Sequence, residues 1–97
     1  MTAYIIARVN VTDPEKYEAY KALAPAAIAA HGGRYLVRGG TVQALEGEPE
    51  SRRVVVLEFP TVEAAETFYR SAEYGAAREK RRGAAEFQLL LVEGYAG

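Results

Sequence analysis

The chain has 97 residues, enough for one domain with a single core and no room for a second. Its 12 basic and 13 acidic side chains leave a net charge of −1, which argues against nucleic acid or an anionic membrane as the main partner. It contains no cysteine, so disulfides, thiolate nucleophiles and zinc–thiolate sites are excluded.

No apolar run approaches the roughly 20 residues that cross a bilayer. The apolar stretch at residues 4–7 is too short for a signal peptide, and Arg8 interrupts it. The expectation is a cytoplasmic protein without a membrane partner. The first strand is expected at residues 3–11. Ile5, Val9 and Val11 point one way; Tyr4 and Ile6 point the other. Arg8 and Asn10 share the Tyr4 face. A buried charge is costly without a partner, so Arg8 is expected to pair with Glu58 or Glu93 or with a ligand anion.

Asp13, Pro14 and Glu15 suit a helix N-terminus. The stripe Tyr17, Tyr20, Ala24, Ala27, Ile28 and His31 has helical spacing, and Gly32-Gly33 ends it. Pro25 inside this helix removes a backbone donor, which predicts a kink or a break. The second half would then turn towards the sheet and present His31 near the second strand. That strand spans residues 34–38. Gly39-Gly40 is expected to bend or bulge it, with residues 41–46 continuing it. A turn at residues 47–50 leads to a third strand at 53–59. There Val55, Leu57 and Phe59 oppose Val54 and Val56.

Pro60-Thr61 opens the second helical segment, with a buried stripe of Ala65, Phe68, Tyr69, Ala72 and Ala76. Glu66 and Arg70 form a favourable i,i+4 pair on its wet face. Ser71 starts a separate short helix that ends by Gly83. The basic run at residues 78–82 reads as a solvated helix end, not a nucleic-acid patch. The last strand is expected at residues 87–93, again apolar on both faces.

The order βαββαβ is the split βαβ, or ferredoxin-like, arrangement: an α+β fold, an antiparallel sheet with its helices on one face. A sheet with one wet face alternates apolar and polar side chains. These strands do not, so their second face needs cover. A second copy of the chain is the simplest cover, which predicts a homodimer through the sheet face.

Three stretches carry a family resemblance: Gly32-Gly33-Arg34-Tyr35-Leu36-Val37-Arg38-Gly39-Gly40, Val54-Val55-Val56-Leu57-Glu58-Phe59-Pro60 and Leu91-Val92-Glu93-Gly94. With Ser71-Ala72-Glu73-Tyr74 they resemble the domain-of-unknown-function 1330 family, whose members often have proline where this chain has Ala72. The resemblance covers nearly the whole chain. It implies a ferredoxin-like fold that dimerises sheet to sheet into an α/β barrel. Related dimeric barrels include cofactor-independent monooxygenases, lactone isomerases, haem enzymes and proteins with no known activity. Fold alone therefore selects no reaction.

The chemistry-bearing residues are few. His31 is the single histidine, at a helix C-terminus that favours its cation. It reads either as a catalytic acid–base group or as an interfacial side chain. Simple alternation puts Arg34 and Arg38 on one strand face, able to grip a carboxylate or phosphate; the alternative is a charged, solvated edge. Tyr20 supplies a hydroxyl nearby. Together Tyr20, His31, Arg34 and Arg38 form the expected site for a small organic acid, an aromatic one included, between helices and sheet. One histidine without cysteine argues against a metal site. No glycine pattern marks a nucleotide fingerprint, so no cofactor is implied. The competing reading is a non-catalytic dimerisation or stress-response module. A third, a haem protein with His31 as axial ligand, needs a wide slot beside that residue.

Overall fold

The structure is a computed structural model and describes residues 2–96. It is a slab of 37 × 35 × 16 Å, two layers thick. The elements in chain order are β1 (Ala3–Val11), α1 (Pro14–Ala30), β2 (Arg34–Arg38), β3 (Arg53–Phe59), α2 (Val62–Arg70), α3 (Ala72–Lys80) and β4 (Ala85–Glu93). The four strands form one antiparallel sheet in the order β2-β3-β1-β4. This is the ferredoxin-like α+β arrangement that the element order predicts.

The caps explain the helix starts. The Asp13 side chain accepts from the Lys16 amide and Thr61 from the Ala64 amide, each satisfying a free N–H of the first turn. Pro25 does not break α1, which runs through it for 17 residues. The lost hydrogen bond is outweighed by anchorage on both sides, with Tyr17 and Tyr20 buried before the proline and Ala27 and Ile28 after it. His31 caps this helix and turns towards α2 and α3, not towards β2.

Ser71 separates α2 from α3 as expected. Its Oγ donates to the Phe68 carbonyl at 2.7 Å and accepts from the Tyr74 amide at 3.1 Å. The break resets the helical phase. The buried stripe therefore continues at Tyr74 and Ala77, while Ala72 and Ala76 are exposed and Tyr69 is 38% exposed. Glu66 and Arg70 sit at 3.9 Å, within ion-pair range.

The core lies between helices and sheet, around Ile5, Val9, Ile28, Phe59 and Phe68. Pairing registers place Ala3, Ile5, Ala7 and Val9 on the helix-covered face, with Phe59, Leu57, Val55 and Arg53 beside them. The other face carries Tyr4, Ile6, Val54, Val56, Leu90 and Val92, and among the described residues no element covers it.

Two expectations about β2 are corrected. Residues 41–46 do not extend it; they lie in an exposed loop. The irregularity falls at Leu36, where the register jumps between Tyr35 and Val37, and not at Gly39-Gly40. The extra residue reverses the alternation beyond it. Arg34 pairs with Glu58 and faces the bare side of the sheet, whereas Arg38 pairs with Val55 and faces the helices. The two arginines do not share a face.

Candidate functional site

The enclosed cleft of the molecule lies between α1 and the helix-covered face of the sheet. Its aromatic walls come from Tyr17 and Tyr20 on α1, Tyr74 on α3, Tyr35 on β2 and Phe87 on β4. Lys21, Arg38 and Arg53 also line it, and none of the lining residues is acidic. The free space inside is about 30 Å³, room for about one or two waters.

Each cation is held by a local cause. The bulge at Leu36 turns Arg38 to the helix-covered side, where it stays exposed and its guanidinium carbon stacks 4.6 Å from the Tyr35 ring centre. Arg53 opens β3 opposite Val9, and its guanidinium lies over Gly39. A Cβ at Gly39 would strike that guanidinium, and the residue has φ +73°, a region glycine enters without strain. Lys21 is paired with Glu18 at 2.9 Å. Among the described residues, neither Arg38 nor Arg53 takes part in an ion pair. The Arg53 Nε is buried and has no hydrogen-bond partner. A guanidinium in that condition favours an incoming anion.

Deeper in, the Tyr20 and Tyr74 hydroxyls are 2.7 Å apart and buried. Burial, helped by the neighbouring Tyr74, pushes the Tyr20 phenol well up; burial also raises Tyr74 and Tyr35. These phenols stay neutral at physiological pH. They act as hydrogen-bonding groups, not as bases. One O–H of the pair is used within it, and the second proton is left for a further acceptor. Arg81 lies against this pair, its guanidinium carbon 3.6 Å from the Phe87 ring centre and 5.3 Å from that of Tyr20. Its Nη1 is buried without a partner.

The four residues expected to share a site are split. Tyr20 and Arg38 line the cleft. Arg34 is on the opposite face of the sheet, with its Nε donating to Glu58 at 2.7 Å. His31 borders none of the described cavities. Its Nε2 lies 2.9 Å from Glu73 Oε1, its ring meets Phe68 edge-on, and the contact holds the Glu73 carboxyl below its usual range. The slot that a haem on His31 requires is absent from the described cavities. Arg8 meets a glutamate, but not one of the two expected. It approaches Gln88 at 3.3 Å and Glu50 at 3.7 Å, because the register sets it opposite Val54 and Gln88, whereas Glu58 lies opposite Tyr4 and Glu93 opposite Ala3.

Arg53 in the cleft and Arg81 beside the tyrosine pair escaped the sequence reading as site residues. Tyr74, Arg78 and Arg81 are spaced i, i+4, i+7, one helix face. That spacing is the signal that the basic run turns inward. Arg78 stacks on Tyr69 and Arg81 on Phe87, so the run is not a uniformly solvated end. No signal in the sequence marks the bulge that turns Arg38 and Tyr35 to the same side.

The profile of the family described as Domain of unknown function (DUF1330) matches residues 2–95. No curated protein matches the sequence significantly. Solved structures show the same fold, three of them as follows. The RPA0582 protein of unknown function from Rhodopseudomonas palustris is 22% identical, with TM-score 0.74 over 99% of this chain and 84% of its own. A dimeric ferredoxin-like protein of unknown function from Jannaschia sp. CCS1 is 10% identical, with TM-score 0.71 over 97% of this chain and 100% of its own. SnoaB, a cofactor-independent oxygenase from Streptomyces nogalater, is 15% identical, with TM-score 0.62 over 99% of this chain and 95% of its own. At these identities the likeness is one of fold. No helix of the described chain is long and apolar enough to cross a membrane.

Proposed function

The chain belongs to the DUF1330 family, and from that premise we propose that it is a cytoplasmic homodimer that binds a small aromatic acid in the cleft beneath α1. One observation carries the reading: an aromatic cleft with two guanidinium groups, Arg38 and Arg53, that have no carboxylate partner among the described residues. The ligand carboxylate would sit between these arginines, and its ring would lie against Tyr20, Tyr35 and Phe87. Because no imidazole or carboxylate lines the cleft, the chain's own groups bind and orient. The spare Tyr20–Tyr74 proton is the group within reach for a hydrogen bond to a reacting oxygen. SnoaB, a cofactor-independent oxygenase of the same fold, is the reason to include a reaction without a cofactor in the assay.

The dimer reading rests on the bare sheet face. The described chain exposes 6182 Å², more than the roughly 5,500 Å² typical of a monomer of this mass. Ile6, Val54 and Val56 are only half-buried there, and Leu90 and Val92 are exposed. Packing two such faces together would bury on the order of 2,000 Å² in total. The Jannaschia protein of the same fold is described as dimeric.

A specific observation favours the second reading, a non-catalytic dimerisation module. Free space of about 30 Å³ is well short of the ~150 Å³ of an apolar cavity known to take benzene. Binding therefore requires Arg38 and Lys21 to swing off their rings, Tyr35 and Tyr17, and open the mouth. Calorimetric titration with benzoate and its hydroxylated relatives decides. Binding that Arg38→Ala and Arg53→Ala each weaken about tenfold or more, while Arg34→Ala leaves it unchanged, supports the ligand site. No heat with any member of the series leaves the dimerisation module.

A further inference from the structure

The cleft beneath α1 does not stand alone. Its floor is the helix-covered face of the sheet, and that floor runs in rows from β2 across to β4. One row is Arg38, Val55, Ala7 and Leu89, and all four side chains line the cleft. The next row is Tyr35, Leu57, Ile5 and Leu91. Its first three members line the cleft, whereas the last lines a second hollow of about 250 Å³ between α2 and β4. Ile5 and Leu89 line both spaces, so the far wall of the cleft is a side wall of this groove.

The groove is apolar along its floor, with Ala65 and Tyr69 of α2 above Ile5, Leu89 and Leu91. Leu91 faces the helix layer by register, yet it is 42% exposed because α2 leaves it uncovered. The charges that border the groove are Glu66 and Arg70, and they offset each other at 3.9 Å. Such a lining suits an uncharged, apolar group and offers nothing to a second anion.

We propose that the groove between α2 and β4 takes an alkyl chain carried by the aromatic acid, opposite the carboxylate that Arg38 and Arg53 hold. The proposal rests on the cleft reading above and adds the class of acid. Three strand spacings separate β2 from β4, about 14 Å. A carboxylate at the arginines of β2 and β3 and a ring over Ala7, the smallest side chain of its row, leave the last spacing to the chain. The wall between the spaces can open there. Ile5 is packed at 5% exposure, but Leu89 is only half-buried, and a change of its rotamer joins cleft to groove. The free space of about 30 Å³ in the cleft then extends into about 250 Å³ beyond it.

Calorimetric titration of the full chain with benzoate and its para-methyl, para-propyl, para-butyl and para-hexyl derivatives tests this. Each methylene buried should tighten binding about fourfold once the chain passes Leu89. Leu91→Trp on β4 and Glu66→Trp on α2 each fill the groove, and the rise with chain length should disappear in both. They lie on separate elements, so either one that keeps the circular dichroism of the fold gives the answer. Benzoate binding without a gain along the series overturns the proposal and leaves the cleft reading standing. A gain that survives the tryptophan substitutions places the chain elsewhere and also overturns it. Long members that bind Arg38→Ala and Arg53→Ala as tightly as the unaltered chain show a groove that acts without the cleft, which overturns both readings. No heat with any member overturns both as well.

Discussion

The Tyr20–Tyr74 contact is the most consequential side-chain pair. Two buried hydroxyls at 2.7 Å satisfy each other, so removing one strands its partner. Tyr20→Phe or Tyr74→Phe alone should destabilise the fold by about 1–3 kcal/mol. The double substitution should cost less than the sum of the two, because no lone hydroxyl is left behind. Denaturant unfolding of the four proteins measures this cycle. The same burial sets a pH limit. The phenols of Tyr20, Tyr35 and Tyr74 are raised in the folded chain, whereas in the unfolded chain they ionise near pH 10. The folded state thus holds protons that the unfolded state releases. Their contribution to stability is full below about pH 10 and declines as pH rises beyond it. Phenolate absorbance followed together with circular dichroism should show the two buried tyrosines, Tyr20 and Tyr74, ionising only as the chain unfolds.

The elements were largely legible because their signals are local. Asp13, Thr61 and Ser71 each announce a helix start, and each is found capping one. Ser71→Ala removes both a cap and the bond to the Phe68 carbonyl, and should cost about 1 kcal/mol in thermal or denaturant unfolding. The Gly33 position is tighter. A Cβ there would lie 2.5 Å from the Phe59 ring and 2.9 Å from Ile28, both fully packed. Gly33→Ala should therefore destabilise by about 1–3 kcal/mol, again read by unfolding, through displacement of the α1–β3 junction. What local signals missed was set by packing across the sheet. Strict alternation placed Arg34 and Arg38 together, but one extra residue at Leu36 moved them to opposite faces. A bulge of this kind depends on how β2 must twist to meet β3 and leaves no mark in a run such as Arg-Tyr-Leu-Val-Arg. The expected His31 site failed for a related reason. The direction of the helix end was decided by Phe68 and Glu73, which are distant in sequence.

At the scale of the whole molecule, the strands were the most legible feature. Apolar residues on both faces of β1, β3 and β4 predicted a sheet covered by helices on one side and needing cover on the other. The slab shows one covered face and one bare one. The cleft was less legible, since all three helices and all four strands contribute to it at once. The bare face gives the last prediction. Ile6 lies near its centre, paired with Val56 on one side and Leu90 on the other. It is half-buried within one chain, so a charge there can still reach water in the monomer. In a face-to-face dimer that charge would be enclosed without a partner, which costs far more than the monomer suffers. Ile6→Glu should therefore leave the circular dichroism of the fold intact and halve the solution mass to 10.6 kDa. Light scattering at micromolar concentration measures it against the unaltered chain. A variant that stays at twice that mass with its fold intact would place the dimer contact on another surface, the helix layer or the loop at residues 39–52.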